Sequence, residues 1–360
     1  MTLFAEILKF TFSGFCLIAM VASKLKMGIW WIRVFDFPRI QLLFIGLVAL
    51  FFFFIPSFNP EIWNIFFFVL VALSLVYQAR KIFPYSIIAK KEVLRFKGED
   101  DETNNISLLV SNVYTPNRSF EKLVHLVKQY DPDLLLTLES DQWWEDQLQV
   151  LEEKYPYLVK VPLDNEYGMH LYSKLPLTDT KVLYIIKDDL PSIHSEVILR
   201  SGKHILIHCM HPEPPSPTES DTSTPRDAEL LIVGKNVQEE KLPKLVFGDL
   251  NDVAWSRTTR LFQKISGLLD PRKGRGFFNT FHAKYWFLRW PLDHIFHSEE
   301  FLLKRIEKLP SIGSDHFPIY INLQLSPINP QEDVEEELDE GEKEWKDETI
   351  KASDPKLVTV

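Results

Sequence analysis

The sequence predicts an α+β fold in which a layered sheet core follows a set of N-terminal membrane-spanning helices. Two observations lead there. From Ile106 to about residue 325, strand-length runs of Val, Ile and Leu alternate with amphipathic helical segments, whereas the first eighty positions are crowded with apolar residues that include two charge-free runs. A third regime, highly charged and poor in apolar residues, closes the chain.

Taken in order, residues 1–80 form the membrane region. Residues 40–56 (IQLLFIGLVALFFFFIP) and 62–78 (IWNIFFFVLVALSLVYQ) carry no charge, and each is about long enough for a hydrocarbon core of roughly 30 Å. The proline-bearing link SFNPE between them suits a tight helical hairpin. Residues 3–23 are expected as a third span, although Glu6 and Lys9 sit near its start; a cleaved signal peptide is the rival, but neither a basic n-region nor a clear small-residue cleavage site is present. Trp30 and Trp31, with Arg33 and Arg39, read as an interfacial connection. Residues 81–104 are expected as a juxtamembrane linker. The sheet domain follows over 105–325, with ISLLVSNV, DLLLTLES, HILIHCM and KLVFGDL as strands and FEKLVHLVKQY as an amphipathic helix. Residues 326–360 lack the apolar side chains needed for a core and read as an acidic disordered tail, with a short helix inside it left open.

Charge is uneven. The whole chain carries −10, and residues 98–331 hold 25 Lys or Arg against 34 Asp or Glu. A surface that tracks a nucleic-acid backbone draws its affinity from an excess of cations, so this balance counts against a general nuclease. Two cysteines, Cys16 and Cys209, imply no disulfide framework or zinc cluster.

With three spans, Lys24, Lys26, Arg33 and Arg39 share a side with Arg80, Lys81, Lys90, Lys91, Arg95 and Lys97, while SFNPE has no positive charge. The positive-inside rule then puts the sheet domain in the cytoplasm.

Polar residues recur at the ends of the apolar strand runs: Asn112, Glu139, His211, Asp249 and Asn251 in GDLND, Asp293 in PLDHIF, and Asp315 with His316 in GSDHFPI. Each has an ordinary explanation by itself, as a strand-end cap, a turn with Asx-type hydrogen bonds or a satisfied core carboxylate. Together they are harder to dismiss, because several acids following such apolar runs are costly to bury without a cation or proton partner.

The ordered set of N, E, H, GDLND, LD and GSDH resembles the endonuclease/exonuclease/phosphatase superfamily over nearly all of residues 105–325. The resemblance implies a four-layered α/β/β/α sandwich that hydrolyses phosphate esters with a divalent cation. It implies Glu139 as principal metal ligand with Asn112 and Asp315 beside it, a donor set that suits Mg²⁺ or Mn²⁺. It also implies Asp249 as the group that orients and deprotonates water, Asn251 as a holder of that water or of a phosphate oxygen, and Asp293 as the partner that orients His316. His211 would donate to the phosphate, with His208 as competitor. Arg226, Asn165, Trp255 and Arg289 are expected as substrate contacts, and Arg272, Lys273 and Arg275 as a basic patch.

Segments such as FDFPRIQL, YQARKIFPY and RWPLDHIFHS are similar to a membrane-anchored bacterial subgroup of that superfamily, which implies an inner-membrane protein. That layout also allows an extracytoplasmic domain, so the side stays open. The expected partners are the lipid bilayer and a phosphate-ester substrate, lipid or nucleic acid, with no obligate protein partner. The alternatives to a phosphoesterase of unresolved substrate are an endonuclease and a catalytically inactive phosphate-binding membrane module.

Overall fold

A computed structural model describes residues 2–55, 59–99, 101–326 and 337–353. Strands β1 (Asn105–Asn112), β2 (Leu134–Leu138), β3 (Tyr157–Val161), β4 (Met169–Ser173), β10 (Phe301–Lys308) and β11 (Ile319–Leu325) form one sheet in the order β10-β11-β1-β2-β4-β3. Strands β5 (Leu177–Leu183), β6 (Ser192–Ile198), β7 (His204–Met210), β8 (Lys244–Asp249) and β9 (Asp293–His297) form the other, in sequence order.

The period-2 alternation of strand side chains sorts residues between layers. On β1, Ile106, Leu108 and Val110 enter the core between the sheets with Leu245 and Phe247 of β8 and Ile295 of β9, while Leu109 faces outward. Helices α5 (Phe120–Tyr130) and α6 (Gln142–Leu148) cover the first sheet through Leu123, Val127 and Trp144. Helices α7 (Thr224–Glu239) and α8 (Arg257–Ser266) cover the second through Leu230, Val233 and Phe262. The fold is therefore the four-layered α/β/β/α sandwich the sequence leads one to expect.

Ahead of it lie α1 (Thr2–Ala22), the single turn α2 (Trp30–Arg33), α3 (Arg39–Phe52) and α4 (Ile62–Ile82). Leu3–Ala22 and Ile62–Tyr85 are each long and apolar enough to cross a membrane. The expected span 40–56 differs. Helix α3 has 14 residues and rises only about 21 Å; it reaches spanning length only together with Trp30–Asp36, from which it is bent by 74°. Helices α1, α3 and α4 pack on one another. At Gly46 a Cβ would come within 2.6 Å of Leu75 Cδ2, so the Leu75 side chain of α4 packs directly on the α3 backbone there.

This bundle is fastened to the sandwich. Trp255 Nε1 donates to the Asp36 carbonyl at 2.7 Å, and the Tyr85 hydroxyl donates to the Ala254 carbonyl at 2.7 Å. The expected linker 81–104 is built into the domain as well: Val93 is buried in the core between the sheets, and Leu303 and Phe96 exchange backbone hydrogen bonds with Leu94 and Leu303 at 3.0 Å along the β10 edge.

The acidic tail also departs from expectation. Helix α9 (Glu340–Ala352) starts with a capping box between Asp339 and Glu342, and Trp345 and Ile350, with Leu338, pack against Leu231, Leu261 and Ile265. The sequence left a short helix open here but not its packing, because so few apolar residues suffice when a neighbouring helix pair supplies the rest of the surface. Residues 327–336 and 354–360 of that expected tail lie outside the described residues. The Arg257 guanidinium lies 3.9 Å from the Trp345 ring centroid. Replacing Trp345 with Ala is expected to raise the rate of tryptic cleavage within α9 about tenfold, since losing a half-buried indole costs roughly 1.5 kcal/mol of local docking. Unchanged cleavage kinetics would show that α9 is not held by this contact.

Candidate active site

The antiparallel and parallel pairings bring the C-terminal ends of β1, β2, β7 and β8 and the N-terminal ends of β9 and β11 to one edge of the sandwich. Alternation then decides which side chains turn inward. Asn112 shares the parity of Leu108 and Val110, Asp249 that of Leu245 and Phe247, Asp293 that of Ile295, and His211 that of Ile207 and Cys209, all of them core-facing between the sheets. Glu139 has the wrong parity. Its backbone takes φ +58, a left-handed conformation rare for a non-glycine residue, and its carboxylate nonetheless meets Asn112.

The result is a connected polar set. Asn112 Nδ2 donates to Glu139 Oε1 at 2.7 Å and to Asp249 Oδ2 at 3.1 Å. His316 Nδ1 lies 2.8 Å from Asp293 Oδ2, and its Nε2 lies 3.4 Å from Asp249 Oδ2. Asp249 Oδ1 accepts the backbone N–H of Asn251 at 2.9 Å, fixing the GDLND turn, in which Asn251 itself has φ +49. Gly248 is required just before it: a Cβ there would fall 1.9 Å from the Met210 carbonyl oxygen. Ser314 Oγ donates to the Asn112 carbonyl at 2.8 Å, so the GSDH turn is tied to the end of β1.

Electrostatics follow from burial. Desolvation pushes the Glu139 carboxyl up to about 8, although the Asn112 hydrogen bond and His316 oppose it. Burial likewise raises Asp249, with His316 opposing. For His316 burial disfavours the imidazolium, but Asp293 and Asp249 outweigh it and lift the group to about 10. His211, without such close carboxylates, is pushed by burial down to about 4. The site thus sets a cationic imidazole against carboxyls that burial makes reluctant to ionise.

Two buried carboxylate oxygens, Glu139 Oε2 and Asp293 Oδ1, have no hydrogen-bond partner. Such atoms are costly unless a cation or water meets them. Asp249, Asp293 and His316 offer ligand-type atoms within 4.8 Å of one another. That trio is already knit by its own short hydrogen bond, so a cation among the three would have to displace it; Glu139 Oε2 offers an unused lone pair instead.

A cavity of about 640 Å³ opens over this set, with Glu139, His211, Asn251, Asp315 and His316 in its lining. Of the residues expected from sequence, Asn112, Glu139, His211, Asp249, Asn251, Asp293, Asp315 and His316 are therefore gathered at one edge.

Four expected substrate contacts lie elsewhere. Arg226 is fully buried: its guanidinium binds Asp227 Oδ1 at 2.7 Å and the Asn251 carbonyl at 2.7 Å, and it lies 3.4 Å from Asp252. It braces the GDLND turn from behind. Trp255 is buried against Tyr85 and Phe277, holding the helical bundle. Asn165 is exposed, caps the Tyr167 N–H and donates to the Asp189 carbonyl. Arg289 donates to the Ala283 carbonyl and lies over Phe317, bracing its own loop. The expected basic patch is likewise consumed internally: Arg272 pairs with buried Asp270, Lys273 with Glu92, and Arg275 caps the Pro271 and Val93 carbonyls.

Sequence reasoning also missed residues. Tyr114 and Tyr167 line the cavity, and Trp30, Val34, Phe37 and Pro38 join it from the connection between α1 and α3. The signal available was the pair of tryptophans and the FDFP segment lying between charged residues, which hydropathy assigned to the bilayer interface alone.

The folds of two solved structures are similar. The D. rerio TDP2 structure, described as complexed with a single-strand DNA product, matches at 15% identity with a TM-score of 0.51 over 61% of this chain and 99% of that one. The human Nocturnin catalytic domain with bound sulfate matches at 15% identity with a TM-score of 0.51 over 68% of this chain and 99% of that one. Curated proteins give no match. Residues 105–316 match the model of the Endonuclease/Exonuclease/phosphatase family; the chain belongs to that family.

Proposed function

We propose that the chain is a membrane-anchored, divalent-metal-dependent phosphoesterase that hydrolyses a phosphodiester or phosphomonoester. The observation that carries this reading is the buried hydrogen-bonded set running from Glu139 through Asn112 and Asp249 to His316 and Asp293, with Glu139 Oε2 unpartnered. Glu139, with Asn112 and Asp315, would hold Mg²⁺ or Mn²⁺, since an all-oxygen donor set suits these hard cations. When bound, the cation would supply Lewis-acid stabilisation of phosphoryl oxygens.

The protein's own groups account for the rest. Asp249, kept in place by the Asn251 N–H and Asn112, accepts the proton of the attacking water. His316, held by Asp293 and cationic at neutral pH, donates to a phosphoryl oxygen where negative charge builds up. Asn251 and neutral His211 bind the ester oxygens, and the low local dielectric strengthens each contact.

Membrane anchoring is supported by the two or three helices long and apolar enough to cross a bilayer. Lys24, Lys26, Arg33, Arg39, Arg80 and Lys81 gather at the helix ends nearest the sandwich, which favours the cytoplasmic side of a bacterial inner membrane.

The test is hydrolysis of bis(p-nitrophenyl) phosphate and p-nitrophenyl phosphate by the detergent-solubilised full chain with Mg²⁺, Mn²⁺ or chelator. Turnover is expected with either cation and is expected to fall to background on chelation. Activity indifferent to chelator would remove the metal from the proposal. Binding of phosphate with no turnover under any condition would instead favour an inactive phosphate-binding module.

A further inference from the structure

The cavity has two unlike sides. One is the polar set just described. The other is apolar and is built by chain segments from both halves of the molecule: Trp30, Val34 and Phe37 come from the connection between α1 and α3, and Phe281, Leu288 and Trp290 come from the loop ahead of β9.

These side chains are not scattered. Phe37 packs edge-on against Trp290 with ring centroids 5.7 Å apart, Trp290 stacks on Phe281 at 6.1 Å, and Phe281 lies 5.0 Å from the His316 ring. A continuous aromatic path therefore leads from the connection between α1 and α3 to the imidazole of the polar set.

The same loop carries an exposed aromatic tip. Tyr285, Trp286 and Phe287 are 51%, 78% and 52% exposed, and Gln41 Nε2 of α3 donates to the Phe287 carbonyl at 2.6 Å. Large apolar side chains cost free energy in water, and aromatic residues favour the headgroup level of a bilayer. Tied to the start of α3, this tip is held where the membrane region meets the sandwich. Ile87 and Ile88, just past α4, are similarly bare.

An acidic domain is a poor fit for a polyanionic strand, and an aromatic path towards the bilayer has no use for a small soluble ester. Resting on the phosphoesterase reading above, we infer that the substrate is an amphiphilic phosphate ester drawn from the bilayer, its phosphoryl group against Glu139, Asp249 and His316 and its hydrocarbon chain along Phe281, Trp290 and Phe37.

The test uses two esters with one leaving group, p-nitrophenyl hexadecyl phosphate and p-nitrophenyl ethyl phosphate, and the full chain in phosphatidylcholine liposomes with Mg²⁺ or Mn²⁺. In each, the water oxygen bonds to phosphorus, its proton passes to Asp249, and the bond to p-nitrophenolate breaks, leaving the alkyl phosphate. The hexadecyl ester is expected to be preferred in kcat/KM by on the order of 100-fold. Sharing a bilayer with the enzyme would itself raise that ratio, so Val34→Asp separates the two causes. Val34 is half exposed, and a carboxylate there charges the apolar wall while leaving the helices that anchor the chain intact. The ratio is expected to fall at least about tenfold in the variant. A ratio unchanged by Val34→Asp, or equal turnover of the two esters by the unaltered chain, would overturn the inference and leave the phosphoesterase reading standing. Faster hydrolysis of single-stranded DNA than of the hexadecyl ester would overturn it in favour of a nuclease. No turnover of any of the three would sink both.

Discussion

Replacing His316 with Ala is expected to lower kcat for a nitrophenyl ester by about 10²–10³-fold, and Asp249→Asn by about 10²–10⁴-fold. The first removes a cation that burial would disfavour and that two carboxylates hold in place. The second keeps the shape of the side chain and an oxygen for the Asn251 N–H, but puts an amide NH₂ in place of the oxygen that accepts from Asn112 and faces His316, so no basic oxygen remains. The two groups lie 3.4 Å apart and serve one proton-transfer and charge-stabilising step, so their effects are not independent. The double variant is expected to lose about as much as the worse single one, because the second removal takes nothing further from a step already lost. A double variant showing the product of the two losses would mean that they act separately, and full activity in Asp249→Asn would exclude it as the base.

How far this site could be read from sequence depended on where each residue stood. Asn112, Asp249 and Asp293 were legible because strand ends deliver side chains to a sheet edge and period-2 parity selects the face, whereas His316, in the turn ahead of β11, was legible through its GSDH motif. Glu139 was legible only through its motif, since parity would turn it outward and its φ of +58 reverses that. Arg226, Trp255, Arg289 and Asn165 were misread for a common reason. Sequence places a residue near a motif but does not distinguish a side chain that enters the cavity from one that braces the backbone behind it. For Arg226 a clue existed, because Asp227 follows it and GDLND ends on Asp252; an arginine flanked by acids on a helix as apolar as ELLIV has partners at home. Hydropathy likewise overextended the run at 40–56, where apolar composition continues beyond the last helical residue. The aromatic wall was beyond sequence reasoning altogether, since it arises only when residues 30–37 and 281–290 are brought together across some 250 positions of chain.

Removing the Arg226 side chain is expected to be the most destabilising single change in the sandwich. Its guanidinium is shared among Asp227 and Asp252, both buried, and the Asn251 carbonyl. Arg226→Ala would leave two buried carboxylates with only Arg33 nearby, and breaking a buried pair in this way costs about 3–5 kcal/mol. For a domain of this size that lowers Tm by on the order of 10 °C, measurable by tryptophan fluorescence of the detergent-solubilised chain. The pH dependence carries the sign. In the intact protein burial pushes Asp227 up, but Arg226 and Arg33 outweigh it and hold the group below its ordinary range; its contribution is then complete above the unfolded value of about 3.9 and fades only as pH falls through the depressed folded value. Without Arg226, burial would lift the folded value above the unfolded one. The variant is then least handicapped in acid, where protonation neutralises the orphaned acids, and the gap in Tm from the intact chain is expected to widen as pH rises from about 5 to 8. Arg226→Met, of similar length but uncharged, is expected to share this widening, because the loss lies in the missing cation and not in packing. A gap independent of pH would locate the cost in the lost volume and refute the electrostatic account. Because Arg226 also anchors the Asn251 carbonyl, both variants should lose activity well below their melting temperatures, through a GDLND turn that no longer holds Asp249 in line with His316.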